Sequence, residues 1–329
     1  MKLIKLLAYF FTIFLVLEIG LRLAGIRPFP HFDNAETEKI VEKNFRDYMC
    51  NDDSIGIIPC ASKERTIYQS DKIPFRISHL PDGSRFCGSD AQAADTILIT
   101  GDSNTHGDGV NDSNHVGFLL QQMLPAYRVI NRAIPGSGNV SQLQVLKESL
   151  RHYTPEIVIA TYGSYHNDRN IFSRSIRKAF RLPKSKAAFY KFPCASLVNG
   201  RLNVEYAFYH YTPVPFSNRS AIFEAVNLLI EKQERYEQNA ELVTLKVWEA
   251  YVALCKLHHI KLCVVATTQD EATDRLCNYF KQNQVEIIPV RFPDEMTFKP
   301  IDSHPNSAGH RYFASCVHKA LSSSGWLKK

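Results

Sequence analysis

A serine, a histidine and an aspartate in this chain stand where a nucleophile, a general base and the acid that orients it would be useful. Ser103 lies in Gly101-Asp102-Ser103-Asn104, directly after a short apolar run. A serine on the tight turn that follows a buried strand is exposed at the sheet's edge, and its own N–H points outward toward an anion. The same position also suits an ordinary helix N-cap. Asp302-Ser303-His304-Pro305-Asn306 precedes the last helical stretch. A histidine two residues from a carboxylate can serve as a base with its orienter; a lone loop histidine is otherwise simply solvated. Two further patches follow apolar runs. Pro135-Gly136-Ser137-Gly138 offers glycine where backbone must approach a ligand. In Tyr162-Gly163-Ser164-Tyr165-His166-Asn167-Asp168 the amide of Asn167 is placed to donate to an oxyanion. Each of these two also reads as plain turn chemistry. His106 and Asp108, just past the serine, are expected to serve the turn and the pocket rim.

The elements that must position these residues are legible from periodicity. Five short apolar runs, 95–100, 127–131, 156–162, 261–267 and 285–290, suit strands buried on both faces. Helical stretches near 114–124, 140–152, 239–259, 270–282 and 306–321 alternate with them. Such alternation predicts an α/β fold, a three-layer α/β/α sandwich around a mostly parallel, flavodoxin-like five-stranded sheet with right-handed crossovers. Sites in such sheets form at the carboxyl ends of the strands, where all four patches fall.

Taken together the four patches resemble the SGNH (GDSL-like) hydrolase superfamily, over about residues 95–320. The blocks occur in the family's order. The resemblance implies a catalytic set of Ser103, Asp302 and His304, and an oxyanion hole from Ser103, Gly136 and Asn167. The stretch His304–His310 (HPNSAGH) looks like the family's ending. Two spacings differ: three residues separate Gly163 from Asn167 where the family has a compact G-x-N-D, and the closing pair is D-x-H rather than D-x-x-H. The activity implied is ester hydrolysis or O-acyl transfer through an acyl-enzyme, with no metal or organic cofactor. By family analogy the substrate is an acylated carbohydrate. The alternatives are a lipase or carboxylesterase, for which the sequence reveals no apolar acyl groove, and a catalytically idle envelope-polymer binding protein.

Residues 6–17 (LLAYFFTIFLVL) begin an apolar stretch that runs to Ile26, interrupted by Glu18 and Arg22. About twenty such residues span the hydrocarbon of a bilayer as a helix. Lys2 and Lys5 precede the stretch, no small-x-small cleavage site follows it, and it closes with LRLAG, similar to membrane-tethered bacterial members of the superfamily. Residues 1–26 are therefore read as a retained signal-anchor, with a cleaved signal peptide as the alternative. The positive-inside rule then puts the rest outside the cytoplasm, periplasmic or at the cell surface. Residues 27–92 read as a stalk and N-terminal extension, and 93–329 as the catalytic domain with an insertion at about 169–238. Eight cysteines suit an oxidising space, and Cys50 and Cys60, flanking a short polar loop, are the candidate bridge.

Charge and composition narrow the partners. The chain has 329 residues and a net charge of +6, which gives no warrant for nucleic-acid binding. From Arg169 to Lys191 there are eight basic residues and no acid: Arg169, Arg174, Arg177, Lys178, Arg181, Lys184, Lys186 and Lys191. Such a run steers an acidic polymer, sits on anionic lipid, or is a solvated helix and loop. The aromatic residues Phe172, Phe180, Phe189, Tyr190 and Phe192 interleave with it, either to stack on sugar rings or to pack the insertion onto the sheet.

Overall fold

A computed structural model describes residues 2–29, 48–69, 73–88, 95–180 and 190–328 of the chain. Arg181, Lys184, Lys186 and Phe189 of the basic, aromatic run lie outside them, as does much of the expected stalk.

The central sheet is built from β5 (Asp95–Thr100), β6 (Tyr127–Asn131), β7 (Pro155–Tyr162), β10 (Lys261–Ala266) and β11 (Glu286–Pro289), in the order β6-β5-β7-β10-β11. Every pairing is parallel. With β5 as the first strand the order is 2-1-3-4-5, the flavodoxin-like arrangement. Because successive side chains point to opposite faces, each apolar run feeds two cores. Leu98, Val158 and Val264 face helices α4 (Asn139–Ser149), α8 (Ala240–Leu257) and α9 (Glu271–Gln282), through Leu143, Val247, Trp248 and Phe280. Ile97, Ile99, Ile159 and Val265 face α3 (Val116–Met123) and α10 (Ser307–Ser323), through Leu120, Phe313 and Val317. Burial on both faces explains why these strands read as continuous apolar runs. Strand and helix limits fall within three residues of the sequence expectation.

Two segments hold more structure than periodicity suggests. The extension forms two antiparallel hairpins, β1 (Met49–Asp52) with β2 (Gly56–Pro59), and β3 (Lys63–Gln69) with β4 (Ile73–His79). Cys50 and Cys60 are disulfide-bonded across the first. The insertion carries α6 (Arg174–Phe180), the hairpin β8 (Lys191–Val198) and β9 (Arg201–Phe208), and α7 (Ala221–Glu237). Extension and insertion share a third core, in which Met49, Ile57, Phe75 and Ile77 meet Ile134, Phe172, Tyr190 and Phe192. At the N-terminus α1 (Lys2–Leu23) buries none of its residues and has a mean hydropathy of 2.1. At 1.5 Å per residue its 22 residues measure about 33 Å, enough to cross a bilayer or to serve as a signal sequence.

Candidate active site

The turn that carries Ser103, the candidate nucleophile, is shaped by its glycine and its aspartate. A Cβ on Gly101 would fall within 2.5 Å of the Thr105 and Thr161 side chains, so only glycine lets the chain leave β5 this tightly. Asp102 caps the short helix α2 (Ser103–His106), accepting the Asn104 N–H at 3.0 Å. As the first helical residue, Ser103 has an N–H with no intrahelical acceptor. The Gly101 carbonyl accepts the Ile134 N–H at 2.9 Å and the Ser137 hydroxyl at 3.0 Å. These two bonds bracket Gly136 and hold its loop beside the turn. Gly136 has φ +74° and lies against the Phe180 ring, a conformation and a contact that both favour glycine.

His304 arrives from the other side of the sheet. Its loop is closed by the Phe298 N–H to the His304 carbonyl at 3.0 Å and the Asp302 N–H to the Phe298 carbonyl at 3.1 Å. Asn306 then caps α10, accepting from Ala308 and Gly309. The structure brings Ser103, His304 and Asp302 into line: His304 Nε2 is 2.8 Å from Ser103 Oγ, and His304 Nδ1 bonds Asp302 Oδ1. Asp302 Oδ1 also accepts the His304 N–H at 2.7 Å, which the short D-x-H spacing makes possible. Burial alone would lower the basicity of His304. The hydrogen bond that His304 donates to Asp302 and the charges of Asp108, Asp302 and Asp102 outweigh it, and the imidazole titrates above the usual histidine value.

Asn167 is not brought to Ser103. On the short helix α5 (His166–Asn170) the residue that faces the nucleophile turn is His166, whose Nε2 lies 3.2 Å from Asp102 Oδ2. Asn167, one residue on, points toward Tyr162, whose hydroxyl donates to its Oδ1 at 3.2 Å. Its Nδ2 is buried without a hydrogen-bond partner, on the wall of a cavity lined by Glu241, Leu242 and Arg275. One helical residue turns a side chain by about 100°, so the longer third block changes which residue reaches the site.

Other site residues carry little signal in the sequence. Arg169 donates to Asp102 Oδ2 at 3.0 Å and to the Ser137 carbonyl at 3.1 Å, and covers the Tyr165 ring. Burial would raise the Asp102 carboxyl, but His166 and Arg169 hold it well below the ordinary range. His106 and Asp108 are not at a rim. Both are buried, 2.8 Å apart, and Asp108 also accepts from Tyr48 of the extension at 2.9 Å. His106 meets His79, also of the extension, at 3.0 Å. Arg85 is buried beneath them and donates to the carbonyls of His106, Gly107 and Val110. The extension therefore clamps the loop that follows the nucleophile.

Among its described residues the basic run is held largely by partners within the protein. Lys178 bonds Glu224 and, at 3.1 Å, Glu231; Arg177 bonds Glu234 at 2.6 Å; Arg174 bonds Asn227. The aromatic residues pack together: Phe172 stacks on Phe192 with centroids 4.5 Å apart, and Phe180 leans on both. With Ile57, Ile176, Met49 and Pro193 they enclose an apolar cavity of about 200 Å³. One wall of that cavity is Gly136-Ser137 and the Arg169 side chain, so it opens beside the nucleophile turn.

No family model and no curated protein matches the chain. Among solved structures it is similar to the psychrotrophic esterase EstA from Pseudoalteromonas sp., 13% identical over 70% of this chain and 98% of that one, with a TM-score of 0.43. It is also similar to a catalytic mutant of Axe2, an acetylxylan esterase from Geobacillus stearothermophilus, 12% identical over 71% and 96%, TM-score 0.41. A member of the lipolytic protein G-D-S-L family from Veillonella parvula is 12% identical over 70% and 99%, TM-score 0.40. Likeness of this degree assigns neither family membership nor activity.

Proposed function

We propose that the protein is a serine-dependent ester hydrolase or O-acyltransferase. The observation that carries this reading is the relay from Ser103 Oγ through the two ring nitrogens of His304 to Asp302. Ser103 Oγ attacks the ester carbonyl as His304 Nε2 takes its proton. Asp302 holds the imidazole in the required tautomer and stabilises the imidazolium that forms. The N–H groups of Ser103 and Gly136 receive the oxyanion. As the tetrahedral adduct collapses, His304 returns the proton to the leaving alkoxide. Water, or another hydroxyl, then attacks the acyl-enzyme with His304 again as base.

The chain works at a membrane in this reading, with α1 retained as its anchor and the catalytic domain outside the cytoplasm. Lys2 and Lys5 before the span and the Cys50–Cys60 disulfide support that orientation. An acylated carbohydrate remains the substrate proposed from family resemblance. The second substrate reading, an ester with a longer apolar acyl chain, has a specific observation in its favour: the cavity beside Gly136. Its lining is mostly apolar, and Phe172, Phe180 and Phe192 of the aromatic run form its walls.

Hydrolysis of a series of aryl esters tests both points. Activity that disappears in Ser103→Ala is expected, with kcat/KM higher for a longer apolar acyl chain than for acetate. Turnover unchanged in Ser103→Ala would reject the reaction, while a preference for acetate alone would return the substrate to small acyl groups on carbohydrate.

A further inference from the structure

Helix α7 is built inside out. Its inner face carries Glu224, Asn227, Glu231 and Glu234, engaged by Lys178, Arg174 and Arg177 of α6. Its outer face carries Val226, Leu229 and Ile230, which are 42%, 66% and 44% exposed, and about two turns beyond Leu229 it carries Tyr236, 81% exposed. The spacings of three and four residues among the first three, and of seven from Leu229 to Tyr236, put them on one side of the helix. A helix that faces water shows the reverse pattern, apolar inward and charged outward. Phe216, just before the helix, is also exposed and meets the Phe223 ring at a tilt, centroids 5.6 Å apart.

The start of this helix is fixed to α1. Glu18, a carboxylate in an otherwise apolar helix, accepts the Ala221 N–H at 2.9 Å, the Ile222 N–H at 3.2 Å and the Ser220 hydroxyl at 2.7 Å. Arg22 pairs with Glu18 and donates to the Arg219 carbonyl at 3.0 Å. Glu18 thus acts as the N-terminal cap of α7, supplied from another element. It lies five residues, about 8 Å, before the end of α1. The uninterrupted apolar run Leu6–Leu17 ends one residue before Glu18, so the charged pair Glu18–Arg22, and with it the start of α7, sits at the outer border of that run. Exposed Arg27, Arg219 and Lys232 lie on or next to these elements, a charge that complements anionic headgroups.

From these observations we infer that the outer face of α7 is a membrane-docking surface, lying in the interface of the leaflet that α1 enters and holding the catalytic domain against the lipid. The inference rests on the reading that α1 stays in the bilayer. Apolar side chains with an aromatic residue at the border are what an interfacial helix presents to lipid. The occupant is the bilayer because the helix that carries the stripe is capped by α1 itself, through Glu18 and Arg22, and the exposed charges Arg27, Arg219 and Lys232 beside it are basic.

The test uses the full chain in vesicles of phosphatidylethanolamine and phosphatidylglycerol, with acyl chains brominated either near the headgroup or near the chain end. Tryptophan fluorescence is compared between the parent, Leu229→Trp and Phe11→Trp. Docking predicts that Leu229→Trp gains a signal quenched at least about twofold more strongly by the shallow bromine than by the deep one. A Leu229→Trp signal quenched no more than the parent, while Phe11→Trp is quenched, overturns the docking and leaves the anchor in place; a face covered by a second copy of the chain gives that result. If neither variant is quenched, the anchor reading and the docking fall together.

Discussion

The Asp302–His304 pair and the Asp102–His166 pair flank the same turn, and each sets an imidazole against a carboxylate. Around His304 the side chains are 22% and 15% exposed, Nε2 is left for Ser103, and three carboxylates raise the basicity of the ring. Around His166 both side chains are within 1% of complete burial, and desolvation, against the pull of Asp102, lowers the ring's basicity. His166 Nδ1 is also occupied, by the Gly163 N–H at 3.2 Å. In the proposed mechanism the same two residue types therefore give a base in one place and a neutral strut in the other. What separates them is solvent, the number of surrounding carboxylates, and whether a ring nitrogen is left for chemistry.

The most damaging substitution for activity is expected on the exposed pair. Asp302→Asn removes the orienting acid while keeping the loop, and kcat should fall by roughly 10⁴ with little change in KM or melting temperature. Aryl ester kinetics with a parallel thermal melt would show this; an unchanged kcat would reduce Asp302 to a loop cap. On the buried pair the order reverses. Asp102→Asn should destabilise the fold by about 3 kcal/mol, because Arg169 loses its counter-charge and His166 its partner. An Asp102→Asn protein that melts like the parent would erase the distinction between the pairs.

The pH profile sharpens the comparison further. His304 must be neutral to accept the proton, so the acid limb of kcat/KM should have its midpoint above the ordinary 6.5. Asp108 is one of the carboxylates that raise it, and Asp108→Asn should move that midpoint downward. A uniform loss of rate with an unmoved midpoint would mean that Asp108 only supports the loop. The smallest effect is expected at Asn167. Removing an oxyanion donor typically costs 10²–10³ in kcat, whereas Asn167→Ala should change kcat by no more than about threefold, because its amide is turned toward Tyr162. A hundredfold loss would place that amide in the hole after all.

Much of this architecture is legible in the sequence, for a physical reason. Strands buried on both faces must be apolar runs, so β5, β7 and β10 announce themselves, and the residues just beyond their ends are where side chains can converge. Ser103, Gly136, Asp302 and His304 were accessible to that reasoning. His166 was not, because choosing between it and Asn167 requires knowing the rotation of a five-residue helix. Arg85, Tyr48 and His79 come from an extension without strong periodicity and act on a loop some 20 to 60 residues away. The basic run misled for a different reason: its counter-charges lie on α7, about 50 residues later, and sequence alone does not say which face of that helix is turned inward.

The central claim is that Ser103 is a nucleophile activated by His304, and covalent labelling tests it most directly. The full chain in membranes would be treated with a fluorophosphonate, which reacts with activated serines, and the adduct mapped by peptide mass. The account predicts one adduct on Ser103, absent in Ser103→Ala and strongly slowed in His304→Ala, with Asn167→Ala labelled at nearly the parent rate. An unlabelled Ser103 in folded protein, or labelling of Ser103 that is indifferent to His304, would contradict it.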